Sequence, residues 1–195
     1  METIIDVKNT NFHPLLKDIE NMFWFFFLSI RTLSDYEIRN LLRQKNTIQE
    51  AYLSFNEMLD KFDRTSNIHI KMNNDGSATS TANILDKMIF MGRAIAVLVY
   101  EYLLSSNYFS KVKDDTEFKF LKHIRNGAAH DNKFDFKYKN RWTIGKTKKI
   151  EWNGLIINRE LQDKTVFNDF ITLTGVFLLA KHFSDKLVLI DSQST

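Results

Sequence analysis

The chain has 195 residues, enough for one domain with its own core, and 44% hydrophobic with 26% charged residues is the balance of a soluble globular protein. The absence of cysteine excludes disulfides and thiolate metal sites and fits a reducing cytoplasm. A formal net charge of +3 is too small to identify an anionic partner, so the local distribution of charge has to decide.

One Pro and six Gly leave little material for sharp turns and favour long helices, while seventeen Phe predict bulky core packing. The opening METIIDVKN has no basic stretch ahead of an apolar run, so no signal peptide is expected, and the first dozen residues read as an extended or frayed arm. His13-Pro14 marks a helix start, because Pro is tolerated at the first helical position. In the run 15–33 that follows, positions 22–28 are apolar on every side. That block is far shorter than the roughly 20 residues of a membrane span and Arg31 follows it, so a helix buried all round, or partly against a second subunit, is expected.

Ser34 and Glu37 form a capping-box pattern ahead of a second helix to position 62, with Leu41, Ile48, Tyr52, Phe55, Leu59 and Phe62 at helical spacing. The polar stretch 63–81, with NNDGSATST, reads as an exposed loop. A third helix over 81–105 is apolar around nearly its whole circumference, with Arg93 interrupting it, as suits a central core helix. Acids at 114, 115 and 117 suit the start of a fourth helix, whose stripe is Phe118, Leu121, Ile124 and Ala128. Beyond His130 the period changes to two at Phe134, Phe136 and Tyr138. Asn153-Gly154 is a strong two-residue hairpin signal between arms 148–152 and 155–159, and Gly145-Lys146 suggests a second turn. A long apolar helix over 161–190 is expected to close the chain. The predicted fold is mainly α, a single domain over 1–195: a bundle of four to five helices with a small antiparallel β-ribbon at 134–159 before the last helix.

The segment FKFLKHIRNGAAHDNKF, 118–134, concentrates the chemistry. Phosphate-loop, dinucleotide, zincin and EF-hand motifs are all missing from the sequence. His13, His69, His123, His130 and His182 do not combine with carboxylates at a metal-ligand spacing, so neither metal nor cofactor is expected. Arg125, Asn126 and His130 supply a fixed cation, an amide and an imidazole within six residues. RNA carries its own nucleophile, the 2′-hydroxyl, so a base and a positive charge on the phosphate oxygens suffice to cut it. Histidine works as base and acid near neutrality, and arginine holds a phosphate bidentately. Positions five apart on a helix point about 140° apart, so Arg125 and His130 do not meet on a straight helix. Either Gly127 marks where the helix bends or ends, or two copies of the segment meet across a dimer. The bland alternative is an Arg snorkelling to water and a His completing the last carbonyls of a helix.

IRNGAAHDNKF resembles the signature of the HEPN family (higher eukaryotes and prokaryotes nucleotide-binding), all-α bundles with R-x4–6-H near the end of a late helix. Arg125, the polar Asn126 and His130 match those three positions, and the Ala128-Ala129-His130 run with Phe134 is similar to the plasmid- and phage-defence branch. The resemblance implies a metal-independent endoribonuclease acting as a cytoplasmic homodimer, with catalytic Arg125, Asn126 and His130. It also implies a toxin or abortive-infection effector, with an antitoxin protein as a further partner. Family members that have lost catalysis serve as RNA- or protein-binding modules, which is the competing expectation. An unrelated helical or membrane-surface protein is the third.

One independent feature supports RNA. Between 133 and 149 there are seven basic residues against one acid, Asp135, with Phe134, Phe136, Tyr138 and Trp142 interleaved. Bases neutralise phosphates and aromatics stack on unpaired nucleobases, unless the aromatics simply pack on the bundle. Lys133, Lys137, Lys139 and Arg141 are the expected RNA contacts, with Lys122 and His123 extending the surface one turn before Arg125.

Overall fold

The computed structural model describes residues 11–34, 84–138 and 141–193. The predicted second helix and the 63–81 loop lie outside the described residues, as does Lys139. The chain divides into two compact units, Met1–Trp24 with Leu85–Thr195, and Phe25–Ile84. All the described candidate site residues belong to the first.

The described elements are a 3-10 turn Pro14–Leu16, α1 (Lys17–Ser34), α2 (Ile84–Ser105), α3 (Phe109–Val112) and α4 (Thr116–Ala129). Strands β1 (Lys137–Tyr138), β2 (Arg141–Trp142), β3 (Ile150–Trp152) and β4 (Leu155–Ile157) follow, then a 3-10 turn Arg159–Leu161 and α5 (Leu173–Ser192). The protein is mainly helical with a small antiparallel component ahead of the last helix, as expected.

The helix start at Pro14 is capped by His13, whose Nδ1 accepts from Leu15 N at 3.1 Å. This end of the arm is not frayed. Phe12 is buried on Phe177 at 5.2 Å, and His13 Nε2 and Tyr108 Oη both bond the Asp191 carboxylate, at 2.9 and 2.7 Å. Leu16, Ile19 and Phe23, three to four apart, enter the core, where Phe23 stacks on Phe177 at 3.7 Å. In the second unit Phe25 is 76% exposed, and Phe27 and Leu28 are also exposed. The block 22–28 is therefore not buried all round: one stripe of α1 is.

Helix α2 is likewise buried on a stripe, Ile95, Ala96, Val99 and Leu103, while Phe90 on another side is 69% exposed. Over Leu85–Ser105 it is long and apolar enough to cross a membrane by length and composition, with 28% of its window buried in the fold. It runs antiparallel to α4. Arg93 Nε donates to Ala128 O at 2.7 Å near one end, and Tyr100 stacks on Phe118 at 5.3 Å near the other. The predicted stripe of α4 is buried throughout, joined by Phe120 and Gly127. At its start Asp115 pairs with Lys186 of α5 at 2.6 Å.

The ribbon is two ribbons. β1 pairs with β2 (Lys137↔Trp142, Tyr138↔Arg141), and β3 with β4 (Ile150↔Ile157, Trp152↔Leu155). The Asn153-Gly154 hairpin forms as predicted, with φ of 48° and 77° at its two central residues, the left-handed pair that a two-residue primed turn demands. Gly145 also turns the chain, its carbonyl accepting from Lys148 N at 3.2 Å. Phe134 and Phe136 are buried, so they are core, not a stacking surface.

The last helix starts at Leu173, twelve positions later than the apolar pattern suggests. The intervening backbone is used elsewhere. Phe134 N donates to Lys164 O, Asp163 N to Phe134 O and Val166 N to Asn132 O, all at 2.9 Å. Asp163 and Asn168 have φ of 65° and 89°, which a right-handed helix cannot accept. Thr172 then caps α5 by accepting from Gly175 N at 3.1 Å.

Candidate nucleic-acid groove

One face of α4 carries Lys119, Lys122, His123, Asn126 and His130, offsets of three, four, seven and eleven that keep them on one side of a helix. These five line a groove of about 410 Å³, closed on its other side by Asp135, Lys137, Thr143, Lys148 and Ile150 from the ribbons. Four lysines therefore face one carboxylate. That carboxylate is occupied: Asp135 Oδ1 accepts from Lys137 N at 2.9 Å and from Gln162 Nε2 at 3.4 Å.

His130 ends α4. Its N–H reaches back to the carbonyls of Asn126 and Gly127 at 3.1 and 3.2 Å, and its side chain is exposed at the groove. The next two residues, Asp131 and Asn132, have φ of 45° and 58°. Aspartate and asparagine tolerate this left-handed geometry better than other side chains. Asn132 also pins the turn by bonding both Phe167 N, at 2.9 Å, and Phe167 O, at 3.1 Å. Arg93 holds the Ala128 carbonyl from the other side, a cation at a helix C-terminus. The backbone under His130 is thus fixed from three directions.

Gly127 does not end the helix, which continues to Ala129. It is a packing position. A Cβ there would collide with Val166 Cγ2 and stand 3.0 Å from Lys133 O, so only glycine lets the 132–134 and 164–167 segments lie against α4.

Arg125 is not in the groove. It points about 100° away from Asn126 around the helix. Its Nη2 meets Glu101 Oε1 at 2.5 Å and its guanidinium lies 5.2 Å from the Tyr100 ring. Its Nη1 reaches Asn126 Oδ1 only at 3.4 Å, and its buried Nε has no hydrogen-bond partner among the described residues. Arg125 and His130 therefore do not converge within one chain, in keeping with their angular separation.

His123 forms part of the groove wall, edge-on to Phe136 at 5.3 Å. Burial, and then the charges of Lys122 and Lys148, push its pKa down to about 4, so it is neutral at physiological pH. That leaves His130 as the imidazole of ordinary exposure in the groove.

Of the nominated RNA contacts, Lys122, His123 and Lys137 line the groove; Lys133 and Arg141 are exposed but do not. Lys119, Thr143 and Lys148, which are not among the contacts expected from the sequence, also line it. Lys119 was findable, three and four residues before Lys122 and His123 on the same face. Lys148 was not, because only the folding of the ribbons onto α4 brings it there. Among the described residues no three His, Asp or Glu side chains come together so as to hold a metal ion. No family model, curated protein or solved structure matches the chain.

Proposed function

We propose that the chain binds RNA in the lysine-walled groove and cuts it, without a metal, as an endoribonuclease of HEPN type. The observation that carries this reading is the groove that Asn126 and His130 line together with Lys119, Lys122, Lys137 and Lys148. His130 takes the proton of the 2′-hydroxyl, and the 2′-oxygen attacks the adjacent phosphorus. The lysines hold the charge that builds on the non-bridging oxygens, and Asn126 orients the phosphate. The bond from phosphorus to the 5′-oxygen breaks as that oxygen takes the proton back from His130, giving a 2′,3′-cyclic phosphate and a 5′-hydroxyl end. His123, neutral at this pH, serves as a hydrogen-bonding wall.

Arg125 acts from a second copy of the chain in this reading, since it pairs with Glu101 outside the groove that its own His130 lines. A homodimer is the working unit. The pair of Arg125 with Glu101 is partly exposed to solvent, and exposed pairs are worth about 0–1 kcal/mol, so exchanging Glu101 for a phosphate costs little. By its resemblance the protein works in the cytoplasm as a toxin or abortive-infection effector with a protein antitoxin. The second reading is a silent RNA- or protein-binding module; what favours it is the same Arg125–Glu101 pair, which leaves the groove without its arginine.

Induction of wild type, Arg125→Ala and His130→Ala at matched soluble levels in a bacterial host separates the two. Growth arrest and new RNA ends with wild type alone support cleavage. Equal behaviour of all three, with RNA co-purifying, supports the binding module.

A further inference from the structure

Trp142 differs from Phe134 and Phe136. It is 41% exposed, where Phe134 and Phe136 are buried. Its β-partner Lys137 places its ammonium 5.0 Å from the ring centroid, and the Arg159 guanidinium lies 4.5 Å from it. The two cations are not equivalent. Arg159 is anchored, its Nε donating to Ile144 O at 2.7 Å. The Lys137 ammonium has no hydrogen bond or ion pair among the described residues, and Lys137 also lines the groove, as does Thr143 beside the tryptophan.

We propose that Trp142 is a stacking platform for one unpaired nucleobase of a strand whose phosphates lie in the groove, with Lys137 as the group that yields the ring. This rests on the RNA-binding reading and adds a substrate class, single strands and loops in preference to duplex. Lysines alone do not discriminate, because both forms carry phosphates. An exposed aromatic ring does, because the bases of a duplex are already stacked on each other. The exchange is favourable: an exposed cation–π contact is worth about twofold to fivefold in binding, a base on an aromatic ring about fivefold to 150-fold. The displaced ammonium needs only to turn from the ring to a phosphate in the same groove, while Arg159 stays.

The test is fluorescence anisotropy with the full chain carrying His130→Ala, so that RNA stays whole. The probes are a labelled single strand, the same strand in a duplex, and a fully abasic strand of equal length. Adding Trp142→Ala should weaken the single strand about fivefold to 150-fold and change the duplex and abasic strands less than about twofold. Trp142→Phe should keep most of the affinity, with thermal melting confirming that both variants fold. If Trp142→Ala leaves the single strand unchanged while Lys122→Ala/Lys148→Ala loses it, the platform is wrong and the groove stands. Equal losses on the abasic strand, or an equal loss with Trp142→Phe, also overturn the platform. If the parent binds no RNA, both readings fall.

Discussion

Replacing Gly127 by alanine separates two accounts of the segment that carries His130. If Gly127 were an ordinary helix-interior glycine, alanine would stabilise the protein by about 1 kcal/mol through propensity. The packing says otherwise. The new methyl would collide with Val166 Cγ2 and stand 3.0 Å from Lys133 O. Neither neighbour gives way readily. Val166 is fully buried with a side chain stiff at χ1, and Lys133 is bridged to Thr165. Overpacking of this kind costs about 1–3 kcal/mol, so after the propensity gain the expected loss reaches about 2 kcal/mol. Urea titration of wild type and Gly127→Ala measures it, and for a chain of this size each kcal/mol moves Tm by about 2–4 °C. Adding Val166→Ala should recover part of the loss as a positive coupling in a double-mutant cycle. A Gly127→Ala protein more stable than wild type would refute the claim that α4 and the 164–167 segment are in close contact.

Other outcomes follow from the same geometry. His123 has a folded-state pKa of about 4, below its unfolded value of about 6.5, so protonation favours unfolding. The stability this gives is complete above about pH 6.5 and is lost as pH falls toward 4, by up to about 3 kcal/mol, and His123→Gln should flatten that part of the stability–pH curve. An NMR titration showing His123 protonating near 6.5 would contradict it. Lys122→Ala and Lys148→Ala should each weaken RNA binding at low salt and reduce the salt slope by about 0.7, and an unchanged slope would place the RNA elsewhere. Gly154→Ala meets no atom within 4 Å but must adopt φ near +77°, so a loss of about 1–2 kcal/mol on thermal unfolding is expected from backbone strain alone.

How much of this was legible in the sequence varied with how local the cause was. The Asn153-Gly154 hairpin and the stripe Phe118, Leu121, Ile124, Ala128 are dictated within a few residues, and both form. The start of α5 was misread because its cause is distant: the backbone of 163–167 bonds the 132–134 segment, and apolar periodicity contains no trace of that. The buried faces of α1 and α2 were overestimated, because an all-round apolar helix leaves its covered side to be chosen by the rest of the fold. At the site, the divergence of Arg125 and His130 follows from helix geometry alone. The Glu101 that holds Arg125 lies 24 positions away and could not be named. The Asp131-Asn132 turn that fixes His130 has residue types that favour turns, so its cause is local. The aromatics at 134 and 136 show why alternation misleads, since inward- and outward-facing rings look alike until the sheet has a covered side.

The central claim is that His130 and the groove cut RNA through its 2′-hydroxyl. The direct measurement is end analysis of an RNA incubated with purified wild-type protein in excess EDTA, beside His130→Ala and the same strand carrying 2′-deoxy at the cut position. The account predicts 2′,3′-cyclic phosphate and 5′-hydroxyl ends from wild type alone, and an intact deoxy-substituted bond. Cleavage that stops in EDTA, that persists in His130→Ala, or that also cuts the deoxy-substituted bond would contradict it.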